Sequence, residues 1–239
     1  MKKSLLVFLL SCIWVASFSL PALGVPAENA DALNRAALYA YRNTALDHPR
    51  KDHPYMFGYA DGSFRPDAQL TRAETATIMA RAKGKNDKAE VTVQFRDLPV
   101  DHWANANVAV LSREGILTGY PDGTFLPDKQ ITRAEFVTIA CRLAAKSPGF
   151  VNNGYADVAG HWAAGYIYTA QGEGWLADFA GTRFQPDRAI TRGEAVQILN
   201  RVLRRHKMFF VTKVADFSDV PPSHPLYDAV MRAASEMQY

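Results

Sequence analysis

Three arginines stand at the same place in a four-residue word that this chain uses three times: Thr71-Arg72-Ala73-Glu74, Thr132-Arg133-Ala134-Glu135 and Thr191-Arg192-Gly193-Glu194. Thr followed three residues later by Glu is the signature of a capping box, so each word is expected to start a helix. Capping accounts for the Thr and the Glu but not for the Arg, because a cation in the first turn opposes the helix dipole. The start of a helix favours anions, and a guanidinium can grip a carboxylate through two parallel bonds. Two readings of Arg72, Arg133 and Arg192 follow: a salt bridge to a neighbouring repeat, which the residues alone favour, or recognition of an anion.

Other recurring residues carry weaker signals. Trp103 and Trp162 each follow a histidine at the expected start of a helix. An indole there either stacks on a sugar face or fills a core beside a groove. Asp97, Asp157 and Asp219 are expected mainly to cap a helix or turn, and sugar hydroxyls are the alternative partner. His102, His161 and His224 sit one per unit, with no second His or Cys at ligand spacing, so they read as structural and no metal site is expected. The Asp-Gly turns lack the alternating oxygens of a calcium loop. No catalytic motif and no cofactor-binding motif is present.

The elements that position these residues follow from the repeat. Phe64-Arg65-Pro66-Asp67, Phe125-Leu126-Pro127-Asp128 and Phe184-Gln185-Pro186-Asp187 lead into the three words. The copies lie roughly 60 residues apart, which marks a repeat array. Ile131, Phe136, Ile139, Ala140 and Leu143 fall on one helical face. Ile190, Ala195, Ile198, Leu199 and Val202 do the same, and Leu70, Ala73, Ile78 and Met79 form a weaker stripe. Three such stripes are expected to face one another around a shared axis. A second, opening helix is expected after each His-Trp, running about a dozen residues, with Gly115 and Gly174 at its end. Asp61-Gly62 and Asp122-Gly123 signal tight turns, whereas Ala180-Gly181-Thr182 signals a different one. No sheet is expected.

The halves do not pair along the chain. A closing half beginning at Gly58 has no opening in front of it, and an opening half at Phe217-Ser218-Asp219 has no closing half behind it. Either the last half completes the first in a ring of three, or a helix around Ala32–Tyr41 serves as a worn-down opening, or the sequence stops short of a longer product.

The pattern Phe-x-Asp-Val/Leu, His-Trp-Ala, Gly-Tyr-x-Asp-Gly-x-Phe-x-Pro, Ile-Thr-Arg-Ala-Glu resembles the S-layer homology domain from Phe57 to Tyr239. The resemblance implies a mainly α, pseudo-threefold helical repeat, a three-pronged spindle with short loops. It also implies a non-catalytic, cell-wall anchoring module that binds secondary cell-wall polysaccharide, often through pyruvylated sugars, or peptidoglycan. On this reading the polysaccharide meets Arg72, Arg133 and Arg192 at helix starts, with Trp103, Trp162, Asp97, Asp157 and the loop glycines Gly62 and Gly123. A protein-interaction scaffold at the cell surface is the alternative, and an enzyme acting on wall glycans is a further one.

The expected organisation is a signal peptide over 1–24, an N-terminal helical or linker segment over 25–56, and the second half of repeat 1 over 57–92. Repeat 2 covers 93–147, repeat 3 covers 153–207, and a partial opening half covers 215–239. Met1-Lys2-Lys3 with the apolar run to Leu20 and the small residues before Val25 reads as a secretory leader, which places the product at the bacterial surface and not in the membrane after cleavage. Without Lys2 and Lys3, 25 of the 27 basic residues remain against 24 acidic ones, so there is no electrostatic footprint for nucleic acid. Cys141 is then alone and is expected to be a small core residue.

Overall fold

The computed structural model describes residues 51–84, 92–151, 154–205, 210–213 and 215–238. The expected leader, the segment around Ala32–Tyr41 and most of the charged stretch 83–90 lie outside them.

Each Thr-Arg-x-Glu word starts a helix: α1 (Arg72–Ala82), α3 (Arg133–Leu143) and α5 (Arg192–Val202). In all three the Thr side chain accepts the third amide and the Glu side chain accepts the Thr amide, completing the capping box. Loss of one such cap costs about 0.5–2 kcal/mol. The opening helices are α2 (Asn105–Arg113), α4 (Ala164–Gly172) and α6 (Tyr227–Ala234). They are shorter than expected, at 9, 9 and 8 residues. Gly115 and Gly174 follow α2 and α4 with positive φ, as a left-handed helix end requires. No N-cap side chain serves these helices. Instead the imidazole Nδ1 of His102, His161 and His224 accepts the amide of Ala104, Ala163 and Leu226, so the repeated histidine is structural.

The closing helices meet at the axis, and each packs against the opening helix that follows it: α1 on α2, α3 on α4, α5 on α6. Leu70, Ile131 and Ile190 are fully buried where the three units converge. Their backbones form a closed cycle. The Leu70 amide donates to the Ile190 carbonyl, Ile190 to Ile131, and Ile131 back to Leu70. Cys141 is fully buried, and burial pushes its thiol up to about 12.

The ring closes between the last opening half and the first closing half. Asp97 accepts the amides of Phe125 and Leu126, and Asp157 accepts those of Phe184 and Gln185. Asp219 makes the same two bonds, at 2.7 Å each, to Phe64 and Arg65 in the first closing half. Leu126, Gln185 and Arg65 all have φ between 55° and 58°, a left-handed backbone that costs about 1–2 kcal/mol in a non-glycine residue, and the carboxylate holds it. Phe95 lies so close to Gly119, and Phe217 to Gly58, that a Cβ would sit 2.2 and 2.3 Å from the ring. The C-terminal opening half therefore completes the N-terminal closing half. The word's one departure has a similar cause: a Cβ on Gly193 would meet the Leu226 side chain at 2.6 Å and the Pro66 carbonyl at 3.1 Å.

Two features differ from the sequence reading. Tyr55 and Met56 are fully buried, so the core begins before Phe57. A small antiparallel sheet also forms, ordered β1 (Lys51–Asp52), β3 (Glu236–Gln238), β2 (Phe210–Lys213), with Lys51 and Phe210 both opposite Gln238. Its outer strands are separated by about 160 residues of sequence, too far for local alternation to announce the pairing.

Candidate functional site

The three repeated arginines reach across the joints between repeats. All three are buried, with Arg72 only 5% exposed. Each reaches into the next unit around the ring. Arg72 donates from Nε to the Phe125 carbonyl and from Nη2 to the Thr118 carbonyl. Arg192 donates in the same way to Phe64 and Phe57. Arg133 donates to the Phe184 carbonyl and makes a two-pronged contact with Glu194. Burial lowers the pKa of Arg192 from the ordinary guanidinium range. The helix starts are also committed. The first two amides of α1 donate to Lys129 and Pro127, those of α3 to Arg188 and Pro186, and those of α5 to Ala68 and Pro66. With the third amide on the Thr side chain, no helix start offers free amides to an anion. Each Arg-bearing helix start is a clasp between repeats.

This places the accessible chemistry beside the helix starts. A groove of roughly 490 Å³ runs along α3, between the Gly119-Tyr120 loop and the head of α4. Arg72, Tyr120, Lys129, Glu135, Arg142, Trp162 and Asp187 line it. Arg72 keeps Nη1 toward the groove, 4.0 Å from Glu135. Lys129 donates to the Tyr120 hydroxyl, which raises its pKa against a smaller opposing effect of burial, and its ammonium lies 3.7 Å from Glu135. Trp162 is 64% exposed, and the His161 ring packs against it at 5.5 Å. Trp103 is similarly exposed at 59%, so neither indole fills the core. An exposed indole held beside three cations and two carboxylates can stack on a sugar ring while its substituents are held by charge.

The two sister positions around the ring are built differently. At α5, Arg133 and Arg188 both close on Glu194, Arg201 pairs with Asp178 at 2.8 and 2.9 Å, and Pro225 replaces the indole. At α1, Trp103 is present, but Ala68 stands where Lys129 stands, and Arg81 lies over the Phe57 ring. Of the three positions, the α3 groove is the one that combines an indole with a lysine.

The remaining sequence candidates lie elsewhere. Asp97 and Asp157 have both carboxylate oxygens on backbone amides. Burial works against the charge of Asp157, but its amide bonds outweigh this and hold its carboxyl below the usual range. Gly62 and Gly123 supply positive φ in exposed turns, where Asp61 and Asp122 bind Ser63 and Thr124. Lys129, Arg142, Glu135 and Asp187 also line the groove, and the sequence reading did not place them there. One signal was available: Arg81, Arg142 and Arg201 recur nine residues after each repeated Arg. Among the described residues no group of His, Cys, Asp and Glu could hold a metal ion, and no helix is long and apolar enough to cross a membrane.

Comparison with known proteins agrees with the repeat. The S-layer homology domain matches residues 55–76, 94–137 and 154–196. The chain is similar to a cellulosome-anchoring protein of Acetivibrio thermocellus, at 36% identity over 73% of the chain and 40% of that protein. It is also similar to cell surface glycoprotein 1 of the same organism, at 34% identity over 77% of the chain and 8% of that protein. An uncharacterized cell wall amidase of Bacillus anthracis is 29% identical over 59% of the chain and 27% of that protein. The chain thus spans less than half the length of each of these relatives.

Proposed function

The chain belongs to the S-layer homology family, and we propose that it is a cell-surface anchoring module that holds to the bacterial wall by binding a wall polysaccharide in the α3 groove. The observation that carries this reading is the exposed Trp162 facing Arg72, Lys129 and Arg142 across one open groove. The names of the relatives, an anchoring protein and a cell surface glycoprotein, support the surface role. The sugar carries an anionic substituent, such as a pyruvate ketal, whose carboxylate sits between Lys129 and the Nη1 edge of Arg72. Trp162 takes the sugar face, and Glu135 and Asp187 accept hydroxyls.

Binding without catalysis fits the repeated carboxylates. The three glutamates cap helices and the three aspartates hold backbone amides, so neither set is poised to exchange protons with a substrate. The amidase-named relative shares only 27% of its length with this chain. Arg133 and Arg192 act as clasps in this reading, and Arg72 both clasps and binds. The test is sedimentation of the protein with wall sacculi of the parent organism before and after chemical removal of their polysaccharide. Binding should disappear with the polymer. Binding that survives its removal moves the ligand to peptidoglycan and overturns the assignment.

A further inference from the structure

A second cavity, of roughly 430 Å³, adjoins the α3 groove. It is lined by His161, Arg183, Gln185, Asp187 and Arg188, among others. Asp187 lines both cavities, and the neighbours His161 and Trp162 line one each. Asp187 is therefore a ledge between them. Its Oδ1 meets His161 Nε2 at 3.2 Å while the side chain stays 82% exposed, leaving acceptor capacity toward either side.

The third repeat builds this cavity with its atypical turn. Counting back from the lead-in Phe, Gly181 occupies the place of Asp61 and Asp122, and Arg183 the place of Ser63 and Thr124. In the other two turns the aspartate closes on that hydroxyl and its own loop. In the third no such closure exists, and Arg183 stands 75% exposed, with only a 3.9 Å approach to an Asp157 already committed to backbone. The cavity therefore presents guanidinium and amide donors beside a carboxylate acceptor, with no net charge across Arg183, Arg188, Asp157 and Asp187. That set suits the hydroxyls of a neutral sugar better than a second anion.

We propose that this cavity is a second sugar subsite, so that the module reads two consecutive units of the polymer across Asp187. The unit on Trp162 carries the charge, and the adjoining unit is a neutral sugar held by Arg183. This rests on the α3 groove binding polysaccharide. The test is calorimetric titration of wild type and Arg183→Ala with polysaccharide released from sacculi of the parent organism, partly hydrolysed and separated by size into single-sugar and oligosaccharide fractions. Wild type should bind oligosaccharides about tenfold more tightly than single sugars, and Arg183→Ala should lose most of that gain while keeping single-sugar affinity. Equal wild-type affinity for all sizes, an unchanged variant, or a uniform loss across sizes would each refute the second subsite and leave the groove standing. No binding of any fraction by wild type refutes the groove itself. Because Arg183 is exposed, its thermal unfolding should match wild type and confirm an intact fold.

Discussion

Replacing Asp219 with Ala removes two of the bonds through which the last half-repeat holds the first. Each is a charge-assisted bond of 2.7 Å, a class that contributes about 1.5–3 kcal/mol where water is excluded. The Phe64 amide is partly buried and loses its partner outright, while water can replace the carboxylate at the exposed Arg65 amide. Arg65 also loses the group that holds its left-handed backbone. Together these set a loss of about 2–4 kcal/mol, against a total domain stability of about 5–15 kcal/mol. Asp97→Ala and Asp157→Ala remove the same clasp from the other two units and should cost similar amounts. Urea unfolding of the full chain, followed by circular dichroism, gives the three values on one scale. Near-equal drops in midpoint support three equivalent joints in a closed ring. A wild-type midpoint for Asp219→Ala, with Asp97→Ala strongly destabilised, would mean that the last half does not close on the first.

Two further outcomes follow from the same joints. Gly119→Ala places a Cβ against the Phe95 ring and 2.8 Å from the Thr124 carbonyl, so it should lower the unfolding free energy measured in urea by about 1–3 kcal/mol, and unchanged stability would remove the close approach from the account. Asp157 and Asp219 have folded-state pKa values below the ordinary Asp value of about 3.9, so their contribution is complete above that value and is lost as pH falls through the lowered folded values. Stability measured in urea should therefore decline as pH drops below about 4, with a smaller decline in Asp219→Ala; equal slopes would contradict the linkage.

The sequence made local structure plain and long-range partners obscure. Thr and Glu three apart predict α1, α3 and α5 because a capping box is satisfied within four residues. The arginine between them was open to two readings because its partners lie in other repeats: Phe125 is 53 residues from Arg72, and Phe57 is 135 from Arg192. In the structure the arginine clasps the next repeat, and one edge of Arg72 lies at the groove. The two tryptophans were equally ambiguous, since the same indole serves a core or a sugar, and only burial separates the cases. Lys129 escaped notice because its counterparts are Arg188 and Ala68, and that variation is what distinguishes the three grooves.

The central claim, that the wall polymer sits on Trp162 in the α3 groove, is tested most directly by running the sacculus experiment with Trp162→Ala and Trp103→Ala side by side. Both indoles are exposed, so both variants should fold, which circular dichroism verifies. A stacked sugar contributes about 1–2 kcal/mol, so Trp162→Ala should bind intact sacculi roughly tenfold more weakly while Trp103→Ala stays close to wild type. Equal losses in both variants, or none in Trp162→Ala, would contradict the assignment of the α3 groove.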